Sequence, residues 1–192
     1  MSVARVAAPR LERPRTPVLA WAPAVVGLVA LLARPWFLPA GVDVRWRVAF
    51  FVALGVAGVA WPVARDGRAG LTTSLLVLGV GAAGFALGRA AVDVPLRPSG
   101  LPLAVGLNAL AAVAEEAFFR RYLYGLLGRF GPAVAVVATA AAFALVHVTV
   151  WGWWILPLDL AAGLVLSWQR ASTGRWSVPA ATHVLANTLA LL

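Results

Sequence analysis

Two adjacent carboxylates and two histidines lie within strongly apolar segments of this 192-residue chain. Glu115 and Glu116 stand in the sequence AEEAFFRRYLYG, and His147 and His183 are the only histidines. An ionisable side chain inside a bilayer costs at least about 2.5–3.5 kcal/mol, so it usually faces other helices and has a function. Carboxylates and imidazoles are the side chains that act most often as general acids and bases, and they also bind zinc.

Helical spacing predicts different roles for the two glutamates. An α-helix advances by about 100° per residue, so Glu116 and Arg120 share one face and can form an ion pair. Glu115 points about 100° away from Glu116, close to the face of Asn108, and that ion pair does not neutralise it. We therefore predict a structural Glu116–Arg120 pair and a Glu115 carboxylate that is presented to another helix.

Two further segments can bring the histidines to Glu115. The turn GRFGP at 128–132 lies midway between Glu115 and His147, so an antiparallel helical hairpin would place these two residues at similar depth. His183 and Asn187 are four residues apart and share one face of the last apolar segment. The short distance from the preceding loop places His183 at a shallower depth than Glu115, a difference that helix tilt or a recessed 128–131 loop would remove. The sequence therefore predicts a polar cavity that is shared by three helices.

Three other polar residues receive simpler interpretations. Asp159 has no partner at helical spacing and lies close to a Trp-rich turn, which favours a position at the membrane interface. Arg121 is predicted to contact the surface or lipid headgroups. Thr139 shares a face with His147, and we predict that its hydroxyl bonds to a carbonyl of its own helix.

The elements that position these residues should be membrane-spanning helices. The chain is 62% hydrophobic and 12% charged, with a mean hydropathy of +0.88, whereas about a quarter of the residues in soluble domains are charged. The predicted fold is an all-α, polytopic membrane bundle of about seven transmembrane helices, or eight. Apolar segments long enough to cross a bilayer are predicted at 16–33, 48–64, 69–88, 98–114, 132–150, 154–169 and 176–192.

The arginines predict the topology of the chain. Residues 1–16 are basic and contain proline, which is typical of a disordered cytoplasmic tail, and residues 17–192 are predicted to form one membrane-embedded domain. Eleven arginines fall on one side of the membrane and five on the other, with Arg34 counted in a loop of the second side, which predicts a cytoplasmic N-terminus. The net charge is +9, but the arginines form no patch interleaved with aromatic residues, so we predict membrane lipid and no nucleic acid as a partner. The composition is typical of a protein of the bacterial cytoplasmic membrane.

Three short motifs resemble the family of CAAX proteases and bacteriocin-processing proteins (CPBP, or Abi), which includes the type 2 CAAX prenyl endopeptidases. The motifs are E-E-x-x-x-R, F-x-x-x-H and H-x-x-x-N, in the family's order over about residues 100–192. Their residues are Glu115, Glu116, Arg120, Phe143, His147, His183 and Asn187. The resemblance implies an intramembrane endopeptidase with its protease-like core at 100–192. Its substrates would be membrane-associated proteins, prenylated CAAX-type proteins among them, or peptide precursors.

The resemblance also implies roles for the site residues, and two mechanisms remain open. In the first, Glu115 activates a water molecule with the help of His147, and His183 and Asn187 stabilise the oxyanion, without a cofactor. In the second, His147, His183 and Glu115 hold Zn²⁺; thiolate ligands are excluded because the chain contains no cysteine. Glu116 completes the predicted catalytic set. The predicted supporting residues are Arg120, Phe143 and Asn108.

Two other functions fit the same residues less well. A non-catalytic immunity or scaffold protein could share the fold, because a fold does not determine an activity, but the complete set of motif residues argues against it. A proton-coupled transporter could use glutamate and histidine as a relay. Such transporters are often built from inverted repeats, and the sequence contains no internal repeat.

Overall fold

The computed structural model describes residues 18–61, 68–90 and 100–192, and within these ranges the chain is helical with no β-strand. The all-α prediction is confirmed for this part, and the predicted tail at 1–16 lies outside the described residues. The long helices are α1 (Ala22–Phe37), α2 (Val44–Ala60), α3 (Leu71–Ala90), α4 (Leu101–Glu116), α5 (Pro132–Trp151), α6 (Leu156–Thr173) and α7 (Ser177–Leu191).

Four helical segments of the described ranges are long and apolar enough to cross a membrane. They are Val18–Phe37, Leu71–Ala90, Leu101–Phe130 and Pro132–Trp151. The other three predicted spans overlap helices that are shorter or more polar: α2 has 17 residues, α7 has 15, and α6 carries Asp159 and Arg170. The predicted number of seven or eight transmembrane helices is therefore not confirmed.

Glycine and proline set the ends of α5. Gly131 precedes this helix and Gly152 follows it, with φ angles of 113° and 87°, a region that residues with a side chain rarely adopt. Pro132 occupies the first turn, where its missing N–H is not needed. A 3₁₀ turn at Gly128–Phe130 leads into this glycine. The hairpin predicted around 128–132 is therefore present.

The core lies around the residues that follow α4. The chain continues there as a π-helix, Ala117–Leu123, which we call the π segment, and then as an α-helical turn at Tyr124–Leu127. Phe118 and Phe119 are fully buried, and their rings meet edge to face with centroids 5.2 Å apart, a favourable arrangement for aromatic pairs. π-helical turns are rare and occur frequently at functional sites. The two motif glutamates end α4 directly before this segment.

Close backbone contacts fix two pairs of helices. A Cβ atom added to Gly58 in α2 would lie 2.5 Å from the carbonyl carbon of Ala117 in the π segment. One added to Gly163 in α6 would lie 3.0 Å from the Cα of Ala140 in α5. Because protein interiors are close-packed, a side chain at either glycine would push the two helices apart. α2 therefore packs directly on the π segment, and α6 packs directly on α5.

Two of the simpler predictions can be compared with the structure. Arg121 lies in the π segment, and its Nη1 donates to the carbonyls of Gly58 and Trp61, the second at 3.2 Å. The last carbonyls of a helix have no partner within it, so Arg121 caps the end of α2. Arg121 is half-buried, and its predicted contact with the surface or lipid headgroups stays a prediction. The hydroxyl of Thr139 donates to the carbonyl of Ala135 at 2.6 Å, which confirms the bond predicted within its own helix.

Candidate active site

Glu116 and Arg120 form a fully buried ion pair, which confirms the prediction from helical spacing. Arg120 Nη1 donates to Glu116 Oε1 at 2.9 Å, and neither side chain is exposed. Arg120 Nη2 donates to the carbonyl of Gly163 at 3.3 Å, and the guanidinium lies 4.5 Å from the centre of the Phe143 ring. A buried charge is costly unless it is paired and hydrogen-bonded. These contacts explain how the bundle retains the arginine.

His183 contacts the same carboxylate from α7. Its Nδ1 lies 3.0 Å from Glu116 Oε1, and because an ionised carboxylate can only accept, the ring nitrogen is the donor. The His183 ring also meets the Phe143 ring edge to face, with centroids 5.6 Å apart. The expected shallow depth of His183 is wrong, since it lies at the level of Glu116. Glu116 therefore fixes the orientation of the His183 ring in addition to pairing with Arg120.

The two oxygens of Glu115 have different partners. Oε1 accepts a hydrogen bond from Arg34 Nη1 at 2.9 Å, and Oε2 faces His147 Nε2 at 3.8 Å. The predicted meeting of Glu115 with His147 across the hairpin is confirmed. The expectation that Arg34 lies in a loop is wrong, because α1 continues to Phe37 and brings this arginine to Glu115.

His147 stands between two carboxylates. Its Nδ1 lies 2.8 Å from the backbone carbonyl of Phe143, and because a carbonyl can only accept, Nδ1 carries a hydrogen while Nε2 points toward Glu115. Asp159 Oδ2 lies 3.7 Å from the same Nδ1. Sequence reasoning assigned no partner to Asp159 and placed it at the interface, yet a signal was present. His147 and Asp159 lie at equal distances on either side of Trp153, in the turn between α5 and α6.

Asn187 and Asn108 lie beside each other where α7 contacts α4. Asn187 Nδ2 is 3.5 Å from the backbone carbonyl of Asn108, at the long limit for a hydrogen bond. The Asn108 amide donates to the carbonyl of Ala104 at 2.8 Å, within its own helix. Among the described residues, neither side-chain amide is hydrogen-bonded to a glutamate or histidine of the site. The roles predicted for both asparagines remain predictions.

The donor types at this site suit zinc, but their placement does not. Both histidines are hydrogen-bonded through Nδ1, which is how metal-binding histidines are usually oriented. Within the described ranges, however, no three His, Asp or Glu side chains lie close enough together to hold one ion. Arg34 also places a positive charge on Glu115. His147, His183 and Glu115 therefore do not fit a shared metal ion in this arrangement.

The C-terminal part of the chain is similar to a known protein family. Residues 97–189 match the family model described as type II CAAX prenyl endopeptidase Rce1-like. This range contains both motif glutamates, both histidines, Arg120, Asp159 and Asn187, whereas Arg34 lies outside it. The resemblance predicted from the three motifs is thereby confirmed. No curated protein and no solved structure matches the chain.

Proposed function

We propose that this chain, whose residues 97–189 belong to the Rce1-like family of type II CAAX prenyl endopeptidases, is an intramembrane endopeptidase in which Glu115 activates the attacking water. The observation that carries the proposal is the approach of Glu115 Oε2 to His147 Nε2 at 3.8 Å. That distance is too long for a direct hydrogen bond and suits a water molecule that contacts both atoms. The pair lies among apolar helices that are long enough to span a membrane.

The proposed chemistry is general base catalysis. Glu115 Oε2 removes one proton from the water while the water oxygen attacks the carbonyl carbon of the scissile peptide bond. His147 Nε2 accepts the second hydrogen of the water in a hydrogen bond and so orients it. The proton held by Glu115 then passes to the leaving nitrogen as the C–N bond breaks, which yields a new carboxylate and an amine. General base catalysis of this kind contributes about 10²–10⁴-fold to a rate.

The negative charge that develops on the carbonyl oxygen requires hydrogen-bond donors. We assign this role to the Asn187 amide, which lies on α7 one turn from His183 and contacts α4. The His183 ring can add a donor only when both of its nitrogens carry hydrogen, because the Nδ1–H is already donated to Glu116. Glu116 holds the His183 ring and Arg120 holds Glu116. In this assignment Glu116 is a positioning residue, and Glu115 alone is the base.

The competing zinc mechanism makes a different prediction. If His147, His183 and Glu115 bind zinc, purified protein should contain about one zinc ion per chain, and His147→Ala should lose it. Elemental analysis of both proteins decides between the mechanisms. Because these residues do not converge on one point, we derive no reaction step through a metal.

Glu115→Gln tests the proposed base, since an amide cannot accept the proton of the water. We expect protein and peptide C-termini that appear in membranes of cells with the wild-type chain and are absent with Glu115→Gln. Their sequences would show whether the substrates are prenylated CAAX-type proteins or peptide precursors. Asp43→Asn is the matched control, because this acid lies outside the site in an exposed pair with Arg45, and it should leave every product in place.

Glu116→Gln should behave differently from Glu115→Gln. It leaves Arg120 buried without its counter-ion, so we expect less folded protein but measurable turnover per folded molecule.

Identical C-termini from wild type and Glu115→Gln would refute the glutamate mechanism. Retained cellular function in a Glu115→Ala, His147→Ala double variant would indicate an immunity or scaffold protein. Ion flux in proteoliposomes that disappears in the Glu115 variant would indicate a transporter.

A further inference from the structure

We infer that Arg34 is a positioning residue for Glu115, supplied by a helix outside the segment that matches the family. The inference rests on the proposed function and extends it to α1. Arg34 Nη1 donates to Glu115 Oε1 at 2.9 Å, although the two residues are 81 positions apart in the chain. Their side chains are 12% and 5% exposed, so the pair is shielded from the solvent that weakens surface ion pairs.

The ion pair distinguishes the two oxygens of the Glu115 carboxylate, because each then has a different partner. Because Arg34 holds Oε1, Oε2 is the oxygen that faces His147 Nε2. Rotation about the last side-chain bond would exchange the two oxygens, and this torsion has only broad preferences of its own. The charge-assisted hydrogen bond from Arg34 opposes that rotation. Arg34 therefore fixes the plane of the base relative to the water that the base shares with His147.

α1 is held firmly enough to position the guanidinium. Leu31, about one turn before Arg34, is fully buried, and Gly27 lies so close to the Phe118 ring that a Cβ there would clash with it. Phe118 follows Glu115 by three residues, so the packing contact and the ion pair join the same two stretches of helix. The last turn of α1, where Arg34 lies, also favours a positive charge through the helix dipole.

Arg45 provides the contrast that the test needs. It lies near the start of α2, its side chain is 86% exposed, and it pairs at 2.7 Å with Asp43 only two residues away. Such exposed pairs contribute little because water and salt screen them. Arg45→Gln removes the same charge as Arg34→Gln without touching the site, and it is therefore the matched control.

The activity test compares wild type, Glu115→Gln, Arg34→Gln, Arg34→Lys and Arg45→Gln in lipid nanodiscs. The probe is a peptide that spans one of the cleavage sites found in membranes of cells with the wild-type chain. We expect Arg34→Gln to lower kcat by about 10²-fold with little change in KM, as for a catalytic group displaced by about 1 Å. Arg34→Lys keeps the charge and should restore part of kcat, whereas Arg45→Gln should match wild type.

A thermal double-variant cycle tests the contact without any substrate. Arg34→Gln and Glu115→Gln should each lower Tm, because each leaves one buried charge without its partner. The decrease in Tm of the double variant should be clearly smaller than the sum of the two single decreases. Additive changes in Tm overturn the contact. Coupled changes in Tm together with wild-type kcat in Arg34→Gln overturn the positioning role. If the wild-type protein cleaves the probe no faster than Glu115→Gln does, the proposed function itself is refuted. This outcome differs from the two outcomes that overturn the contact or the positioning role.

Discussion

Arg120→Met should destabilise the protein strongly, and a second substitution should recover part of the loss. The Arg120 guanidinium lies 2.9 Å from Glu116 in a fully buried pair, and methionine removes the charge while it keeps an apolar stem. The Glu116 carboxylate then remains buried beside His183 without its counter-ion. Removing one partner of a buried ion pair costs about 3–5 kcal/mol.

Two further contacts are lost with the same guanidinium. Its bond to the Gly163 carbonyl at 3.3 Å involves a charged donor, a type worth about 1.5–3 kcal/mol. Its position 4.5 Å from the Phe143 ring centre is a desolvated cation–π contact, worth about 2 kcal/mol. The three values do not add, because one group makes all the contacts and they respond together. We therefore expect Arg120→Met to cost about 4–5 kcal/mol, at the upper end for a broken buried pair.

The double variant Glu116→Gln, Arg120→Met strands no charge and should be more stable than Arg120→Met by about 2 kcal/mol. Unfolding in mixed micelles titrated with SDS measures the difference, followed by the fluorescence of the nine tryptophans. Arg45→Met is the matched control and should leave the midpoint unchanged, because Arg45 is exposed. If Arg120→Met shifts the unfolding midpoint no more than Arg45→Met does, the reasoning is refuted. It is also refuted if the double variant is less stable than Arg120→Met alone.

Two further predictions concern packing and the second acid of the site. Gly58→Ala should destabilise by about 1–3 kcal/mol, because its Cβ would lie 2.5 Å from the carbonyl carbon of Ala117. Gly79→Ala is the control, since nothing lies within 4 Å of its Cβ, and equal unfolding midpoints would contradict the close contact. Asp159→Asn should lower turnover by less than the roughly 10²–10⁴-fold of a lost general base, because the carboxylate lies 3.7 Å from His147 Nδ1. Wild-type turnover would show that Asp159 does not act on His147.

The spacing of residues along one helix or one hairpin was sufficient to predict part of the candidate site. The angle between successive residues separates Glu115 from Glu116 and pairs the latter with Arg120, as observed. The symmetric position of Glu115 and His147 about the turn at 128–132 also led to the observed contact. Both inferences depend only on local geometry, which helical spacing determines. The same symmetry about the next turn would have paired His147 with Asp159.

Contacts between distant helices could not be predicted in this way. Arg34 and Glu115 are 81 residues apart, and the period of a helix does not indicate which helices become neighbours. A count of residues from the nearest loop assumes straight helices of equal tilt, and that assumption misplaced His183. The π segment begins directly after Glu116, and the hydrophobic pattern does not indicate this change of helix type.

Gly58 and Gly163 mark two groups of helix segments in direct backbone contact, which we call the two units. At each glycine one helix backbone rests on another, and such a contact has no side-chain rotamer that could yield to a displacement. The first unit, α2 with the π segment and α4, carries both glutamates, and the second, α5 with α6, carries His147. The 3.8 Å gap between Glu115 and His147 therefore lies at the joint between the units, which Arg120 crosses to reach the Gly163 carbonyl. In the proposed mechanism, a movement that separates the two units to admit a substrate would also separate Glu115 from His147.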